Sequence, residues 1–452
     1  MNSSFFGELL TSITEQGRAL IEARRGRPGE KPIAELCDAL LSGRGEASGV
    51  ALAGEVLSGY QQLDKTAKLK FFQTLRDSFG ADVEQVRQAA AALNADPDDQ
   101  MLLRRLHAVS EPKRQELIRR LNLAAGGTKA LVAMRSDLLD FMREHPDLRD
   151  VDRDFEHLFS SWFNRGFLVM RRIDWQTPAN ILEKIIEYEA VHEITGWDDL
   201  RRRIGLEDRR LYAFFHPALV DDLLIFVEVA LTREIPGAIG PILAEDRNEL
   251  PAGEATTAVF YSISNCQKGL RGISFGNFLI KQVVEELRRE LPSLKTFVTL
   301  SPVPGFARWL GQAMGEDSNP ARDVLPDELF AELKQPDWPM NTDTADRLAE
   351  VMPGLCAHYL TKVKDRKGRP VDPVARFHIG NGARLERVNW QGDLSANGLN
   401  QAHGMMVNYL YDLKYIERNH EAYAAQGTVA TSSTVARLSK TIPDTQHLTP
   451  AS

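Results

Sequence analysis

The chain has 452 residues, 43% of them hydrophobic and 26% charged, with a formal net charge of −8. That composition excludes a largely disordered chain and gives length for two or three domains. The acidic balance argues against broad electrostatic binding to nucleic acid, which shows a basic excess. The most apolar run, 223–231, carries Glu228 and is far too short to span a membrane. The first ten residues contain Glu8 and lack a basic stretch followed by a long apolar one, so no secretory signal is expected. Cys37, Cys266 and Cys356 are odd in number and widely spaced, which implies neither a disulfide framework nor a zinc site. A reduced, cytoplasmic protein is the expectation.

Residues 1–164 read as helix after helix. Phe5, Phe6, Leu9, Leu10 and Ile13 make one apolar stripe at helical spacing, and 63–79 and 83–93 continue the pattern. Asp96-Pro97-Asp98 breaks the chain. Ser110 with Pro112 opens another helix that Gly126-Gly127 stops, and 131–142 follows until His145-Pro146. A helical bundle is the simplest account, and its apolar faces suggest self-association. After Trp162 the character changes. Thr177-Pro178 caps a helix over 179–190, and short runs rich in Val, Ile, Phe, Tyr and Thr at 223–231, 258–263 and 296–300 read as strands. The stretch 311–370, rich in Asp, Glu and Pro, reads as an insertion. Residues 427–452 are rich in Ser and Thr and read as a mobile tail.

The segment 258–310 carries the chemistry. A strand runs into Gln267-Lys268-Gly269-Leu270-Arg271-Gly272-Ile273-Ser274-Phe275-Gly276, then an amphipathic helix from Asn277 to Leu291, then a strand leading to Ser301-Pro302-Val303-Pro304-Gly305. Glycines allow backbone N–H groups close to an anion, and a helix N-terminus adds partial positive charge. Lys268 and Arg271 add full charges. No Gly-Lys-Ser/Thr triplet opens the helix, and the turn lacks a G-x-G start, so it is neither a Walker loop nor a Rossmann fingerprint. It resembles the Gln/Arg-x-x-Gly-x-Gly/Ala turn that grips the coenzyme A pyrophosphate in acyl-CoA N-acetyltransferases.

A closer resemblance covers most of residues 165–415. Phe260 to Ser264, Gln267 to Gly272, Phe278 to Lys281, Leu300 to Phe306, Pro373 to His378, Asn381 to Ala383, Asn389-Trp390 and Gly404 to Tyr409 stand in the order in which the malonyl-CoA decarboxylase family has them. The resemblance implies an α+β protein: an all-helical bundle over 1–164 for oligomerisation, then an acetyltransferase-like α/β domain with a mixed sheet over 165–426. It implies conversion of malonyl-CoA to acetyl-CoA and carbon dioxide, with coenzyme A as part of the substrate and no separate cofactor, in a homodimer or homotetramer.

The resemblance also assigns residues. The matching serine, Ser301, and the matching histidine, His378, are catalytic in the family, and the tyrosine matching Tyr411 faces the active site. Without the resemblance, a turn serine is the commoner reading of Ser301, and Tyr411 is about equally a packed aromatic. His378, placed here on a strand running into a turn, has the pKa class for proton transfer near neutrality. Gln267, Lys268, Gly269, Arg271, Gly272, Ile273, Ser274, Phe275, Gly276 and Asn277 are the expected coenzyme contacts. Ser274 departs from the many members with a glutamate there and supplies a hydroxyl in place of a charge. Asn389 and Asn408 hold loops or the substrate carboxylate, or bond within the core. Arg201-Arg202-Arg203 with Arg209-Arg210 reads as a solvated face, or as a partner for coenzyme phosphates. His216, His403 and His420 stand apart, with no metal-ligand spacing.

Decarboxylation beta to a thioester leaves an enolate, which needs donors for its oxygen and a proton for its alpha carbon. An acyl-CoA N-acyltransferase and a non-catalytic acyl-CoA sensor remain the alternative functions.

Overall fold

The computed structural model describes residues 32–42, 45–273, 279–317 and 319–443. The stripe from Phe5 to Ile13 and the residues Ser274, Phe275, Gly276 and Asn277 lie outside them. The described chain forms two compact units, one of residues up to Val169 with Phe214–Leu224 and 265–273, the other of Met170–Ala213, Ile225–Ser264 and the described residues from 279 on.

The first unit is helical, as expected. Asp64 opens the helix Lys65–Ser78 by accepting from the Ala67 amide at 2.7 Å, and Asp82 and Asp99 cap Val83–Ala95 and Gln100–Ser110 likewise. Gly126, at φ 71°, turns the chain so that the helix Gly127–Phe141 starts at the second glycine of the pair. Phe71, Phe72, Phe155, Phe159 and Phe163 fill its interior. Arg135, 1% exposed, donates to Asp152 at 2.7 Å and to the carbonyls of Gly269 and Arg271, each at 2.9 Å. A buried charge is tolerated only when paired in this way. Gly269 is needed because a Cβ there would run into the Val132 carbonyl.

The second unit is built on an eight-stranded sheet in the order β1-β2-β3-β4-β5-β8-β6, with β7 also on β8. The strands are β1 Val169–Ile173, β2 Arg209–Phe215, β3 Leu223–Thr232, β4 Thr257–Asn265, β5 Thr296–Thr299, β6 Ser301–Pro302, β7 Arg384–Asn389 and β8 Met406–Leu410. β2 is buried along its length and β3 up to Leu231, which is why β3 reads as an apolar run interrupted only by the buried Glu228. β4 and β5 are parallel, with Thr257 opposite Thr296, and the helix Leu279–Glu290 lies between them in sequence. β8 is antiparallel to both β5 and β6, at Val298 opposite Leu410 and Ser301 opposite Val407. The sheet is therefore mixed, and the fold class is the expected one.

Three expectations change. The arginine run is a solvated face only in part: Arg201 is exposed and Arg202 half-buried, but Arg203, Arg209 and Arg210 are each under 7% exposed. Arg203 meets Asp199 and Glu228 at 3.2 Å, Arg209 donates to the Ile242 carbonyl at 2.7 Å, and Arg210 pairs with Glu290 at 2.7 Å. Arg209 and Arg210 open an interior strand and Arg203 lies on the inner face of the helix Trp197–Ile204, and fixed partners offset their desolvation. The segment 427–443, expected to be mobile, is built in. Ser432 donates to the Leu385 carbonyl, and the helix Ser433–Ser439 buries Val435. The stretch 311–370 contributes core, since the helix Thr342–Thr361 buries Leu348, Met352, Leu355 and Tyr359.

Removing the Arg135 guanidinium leaves Asp152 buried without its cation. Arg135→Ala is expected to cost about 3–5 kcal/mol in urea unfolding. A loss below about 1 kcal/mol, the value of an exposed pair, would show that the buried pair is not a support.

Candidate active site

Ser301 lies two residues beyond Thr299, and the alternation of an extended chain puts both on one face. Ser301 Oγ donates to Thr299 Oγ1 at 2.8 Å, and Thr299 Oγ1 also accepts from the Tyr409 amide at 3.1 Å. Ser301 Oγ stands 3.3 Å from His378 Nε2, and His378 Nδ1 stands 2.7 Å from the Tyr411 hydroxyl. The three residues assigned by resemblance thus form one hydrogen-bonded chain, and all are 5% exposed or less.

His378 sits on a helix, Pro373–Gly380, and not on the expected strand. Its neighbours Phe377 and Ile379 favour strands, but Asp372-Pro373 is a helix start: Asp372 accepts from the Val374 and Ala375 amides at 3.0 and 2.9 Å, and Pro373 takes the first position. Tyr411 continues from β8, its amide bonded to the Phe297 carbonyl at 2.9 Å. The imidazole of His378 stacks on Tyr409, with centroids 4.6 Å apart and planes at 22°. Phe260 meets the Tyr411 ring edge-on at 6.2 Å.

Burial sets the charge state of this chain. Burial pushes the His378 imidazolium down to about 3, so the ring is neutral near pH 7. Burial holds the Tyr411 phenol well above its ordinary value, so it keeps its proton. Because the Ser301 hydroxyl donates to Thr299, its oxygen is left to accept from Nε2–H, which assigns the ring proton to Nε2 and leaves Nδ1 to accept from Tyr411. Asp372, fully buried, is raised to about 6 by burial, against the pull of the Ala375, Gly305 and Val374 backbone and of Arg376.

A cavity of about 190 Å³ borders the segments that carry the pair, with Pro302, Pro304, Val374, His192, Asp393 and Gln401 among its lining residues. Its wall at 190–192 is fixed by buried Glu189, which accepts from the Val191 and His192 amides and from Ser262, all at 2.8 Å. Sequence reasoning missed Thr299, Asp372, Tyr409 and His192. The Asp-Pro pair and the Thr-x-Ser alternation were the signals available for Asp372 and Thr299.

Asn408 is a core residue. Its Nδ2 donates to the Thr299 carbonyl at 2.8 Å, and its Oδ1 accepts from Asn389 at 2.9 Å and from Arg387 at 3.0 Å. The described part of the glycine turn belongs to the helical unit. There Gln267 donates to the Leu223 carbonyl at 2.8 Å, Lys268 pairs with Asp140 at 2.5 Å, Arg271 is exposed, Gly272 has φ 85° and Ile273 is buried. Among the described residues no group of three or more His, Cys, Asp or Glu is placed to hold a metal ion, and no helix is long and apolar enough to cross a membrane.

Residues 166–449 match the family model for the malonyl-CoA decarboxylase C-terminal domain, and 79–163 match that for the N-terminal domain. The chain is 36% identical over 379 residues to mitochondrial malonyl-CoA decarboxylase of Anser anser anser, covering 78% of this chain and 73% of that protein. It is similar to the crystal structure of malonyl-CoA decarboxylase from Rhodopseudomonas palustris, with a TM-score of 0.87 at 56% identity over 90% of this chain and 98% of that one. The malonyl-CoA decarboxylase structure from Agrobacterium vitis gives a TM-score of 0.85 at 55% identity over 90% and 99% of the two chains.

Native His378 stays unprotonated down to about 3, whereas the unfolded residue titrates near 6.5. The unfolded state therefore binds the extra proton between these values, and stability falls as pH drops through that window. His378→Gln is expected to remove about 1.4 kcal/mol per pH unit of that slope between about pH 4 and 6, measured by urea unfolding. An unchanged slope would mean that His378 is already charged in the native state.

Proposed function

The chain belongs to the malonyl-CoA decarboxylase family, and from that premise we propose how its residues decarboxylate malonyl-CoA to acetyl-CoA and carbon dioxide. The observation that carries the assignment is the hydrogen-bonded chain Ser301–His378–Tyr411, and the mechanism takes the ring proton to be on Nε2. The Ser301 hydroxyl turns from Thr299 to the substrate carboxylate and holds it out of the thioester plane. The bond from the alpha carbon to the carboxylate breaks, carbon dioxide leaves, and the electron pair passes into the thioester enolate. His378 delivers the Nε2 proton to the alpha carbon as the Tyr411 proton moves to Nδ1. A solvent proton then returns to Nε2 as the Nδ1 proton goes back to the tyrosine, so one proton is consumed per turnover and the resting tautomer is restored. The enolate is a far stronger base than either group, so both transfers run downhill.

No separate cofactor enters these steps. The cavity beside Pro302 and Pro304 receives the acyl end. Gln267, Lys268, Gly269, Arg271, Gly272, Ile273, Ser274, Phe275, Gly276 and Asn277 are the proposed coenzyme contacts, and the exposed Arg271 supplies a cation for its phosphates. The protein works in the cytoplasm as a homodimer or homotetramer. Self-association is supported by the helix Gln100–Ser110, which buries none of its residues and leaves Met101 66% and Leu103 48% exposed.

Purified protein given malonyl-CoA with a chelator and no amine is expected to release acetyl-CoA and carbon dioxide in equal amounts. Ser301→Ala and His378→Ala are each expected to lower kcat by about 10²–10⁴ while product acetyl-CoA still binds. Full turnover in either would remove that residue's role. Binding without turnover in the unmodified protein would indicate a sensor, and turnover only with an amine would indicate a transferase. Gln401→Trp, which fills the cavity, is expected to raise KM by about tenfold, and an unchanged KM would place the acyl end elsewhere. Met101→Glu combined with Leu103→Glu is expected to lower the native mass in light scattering. An unchanged mass would exclude that surface as the subunit contact.

A further inference from the structure

Asp372 is fully buried and takes no part in the proton chain, yet it touches both segments that carry it. Its Oδ1 accepts from the Val374 and Ala375 amides, which fixes the first turn of the helix bearing His378. Its Oδ2 faces the other segment: a Cβ built on Gly305, four residues after Ser301, would lie 3.7 Å from it. The same Cβ would run into the Tyr359 hydroxyl, so Gly305 is wedged between that phenol and the carboxylate. Tyr359 in turn packs on Phe306 and Trp309, with centroids 5.8 and 5.2 Å away, at the start of the helix Phe306–Met314. The negative charge of Asp372 is felt at Tyr409, whose ring stacks on His378.

We propose that Asp372 is a positioning residue that sets the Ser301–His378 distance by holding the His378 helix against the Ser301–Gly305 loop. A surface serine or asparagine would cap the helix equally well. Only a buried group of this length reaches the loop as well. The separation it governs, 3.3 Å, is at the outer edge of a hydrogen bond, where small displacements matter most. The proposal rests on Ser301 and His378 as the reacting pair.

Asp372→Ala and Asp372→Asn separate positioning from stability. The alanine variant is expected to lose about 10-fold or more in kcat with KM for malonyl-CoA within about twofold of the unmodified protein. Asparagine keeps the cap and the length, and is expected to restore kcat to within about threefold. An alanine variant with unchanged kcat, a loss confined to KM, or an asparagine variant as slow as alanine would each overturn the proposal. Should the alanine variant not fold, Gly305→Ala tests the other side of the wedge. It is expected to lower kcat at constant KM, and unchanged kcat there would overturn the proposal. Inactive Ser301→Ala and His378→Ala beside a fully active Asp372→Ala would remove this proposal alone. Active Ser301→Ala or His378→Ala would remove the reacting pair itself.

Discussion

Burial of an imidazole between a phenol and a hydroxyl is the constraint on which the site depends. In water His378 would carry a proton for part of the time near neutral pH and would offer N–H on both sides. Enclosed among Tyr409, Tyr411 and Phe377, it is neutral, and its one proton has a defined place. The geometry that achieves this comes from β8. Its register against β5 and β6 sets the Tyr409 amide on Thr299 and carries Tyr411 to the far nitrogen of His378. Three strands and one short helix are thereby committed to three side chains.

The same economy of buried charge runs through the molecule. Arg135 in the helical unit and Arg203 in the sheet unit are each surrounded by carboxylates and carbonyls. Glu228, fully buried, is raised to about 7 by burial and by Glu189, against the opposing pull of Arg203. Breaking such pairs costs more than forming them gains, so they specify packing more than they add stability. In the helical unit this matters because Arg135 holds the Gly269 and Arg271 carbonyls of the glycine turn.

Much of this was legible in the residues. The helical periodicity of the first part, the apolar β3 and the β4–helix–β5 order follow from spacing alone. Ser301 and Tyr411 lie on or beside strands, but the family resemblance, and not their spacing, singled them out. His378 was harder, because the strand-favouring Phe377 and Ile379 outweighed the Asp372-Pro373 start signal in a segment of only eight helical residues. The arginines misled because charge predicts exposure only where no carboxylate waits across the fold, and Asp199, Glu228 and Glu290 are distant or unremarkable in sequence. The polar composition of 427–443 hid two buried apolar anchors, Val435 and Ile442. Thr299, Asp372 and Tyr409 act through contacts made across the fold, which spacing along the chain does not reveal.

The direction of the proton chain is the claim that everything in the mechanism assumes. Nitrogen-15 resonances of the His378 ring, followed from pH 5 to 8 in histidine-labelled protein, test it most directly. The account requires a neutral ring throughout, protonated on Nε2, with Nδ1 showing the shift of a hydrogen-bond acceptor. Protonation on Nδ1, or a titration near 6.5, would contradict it.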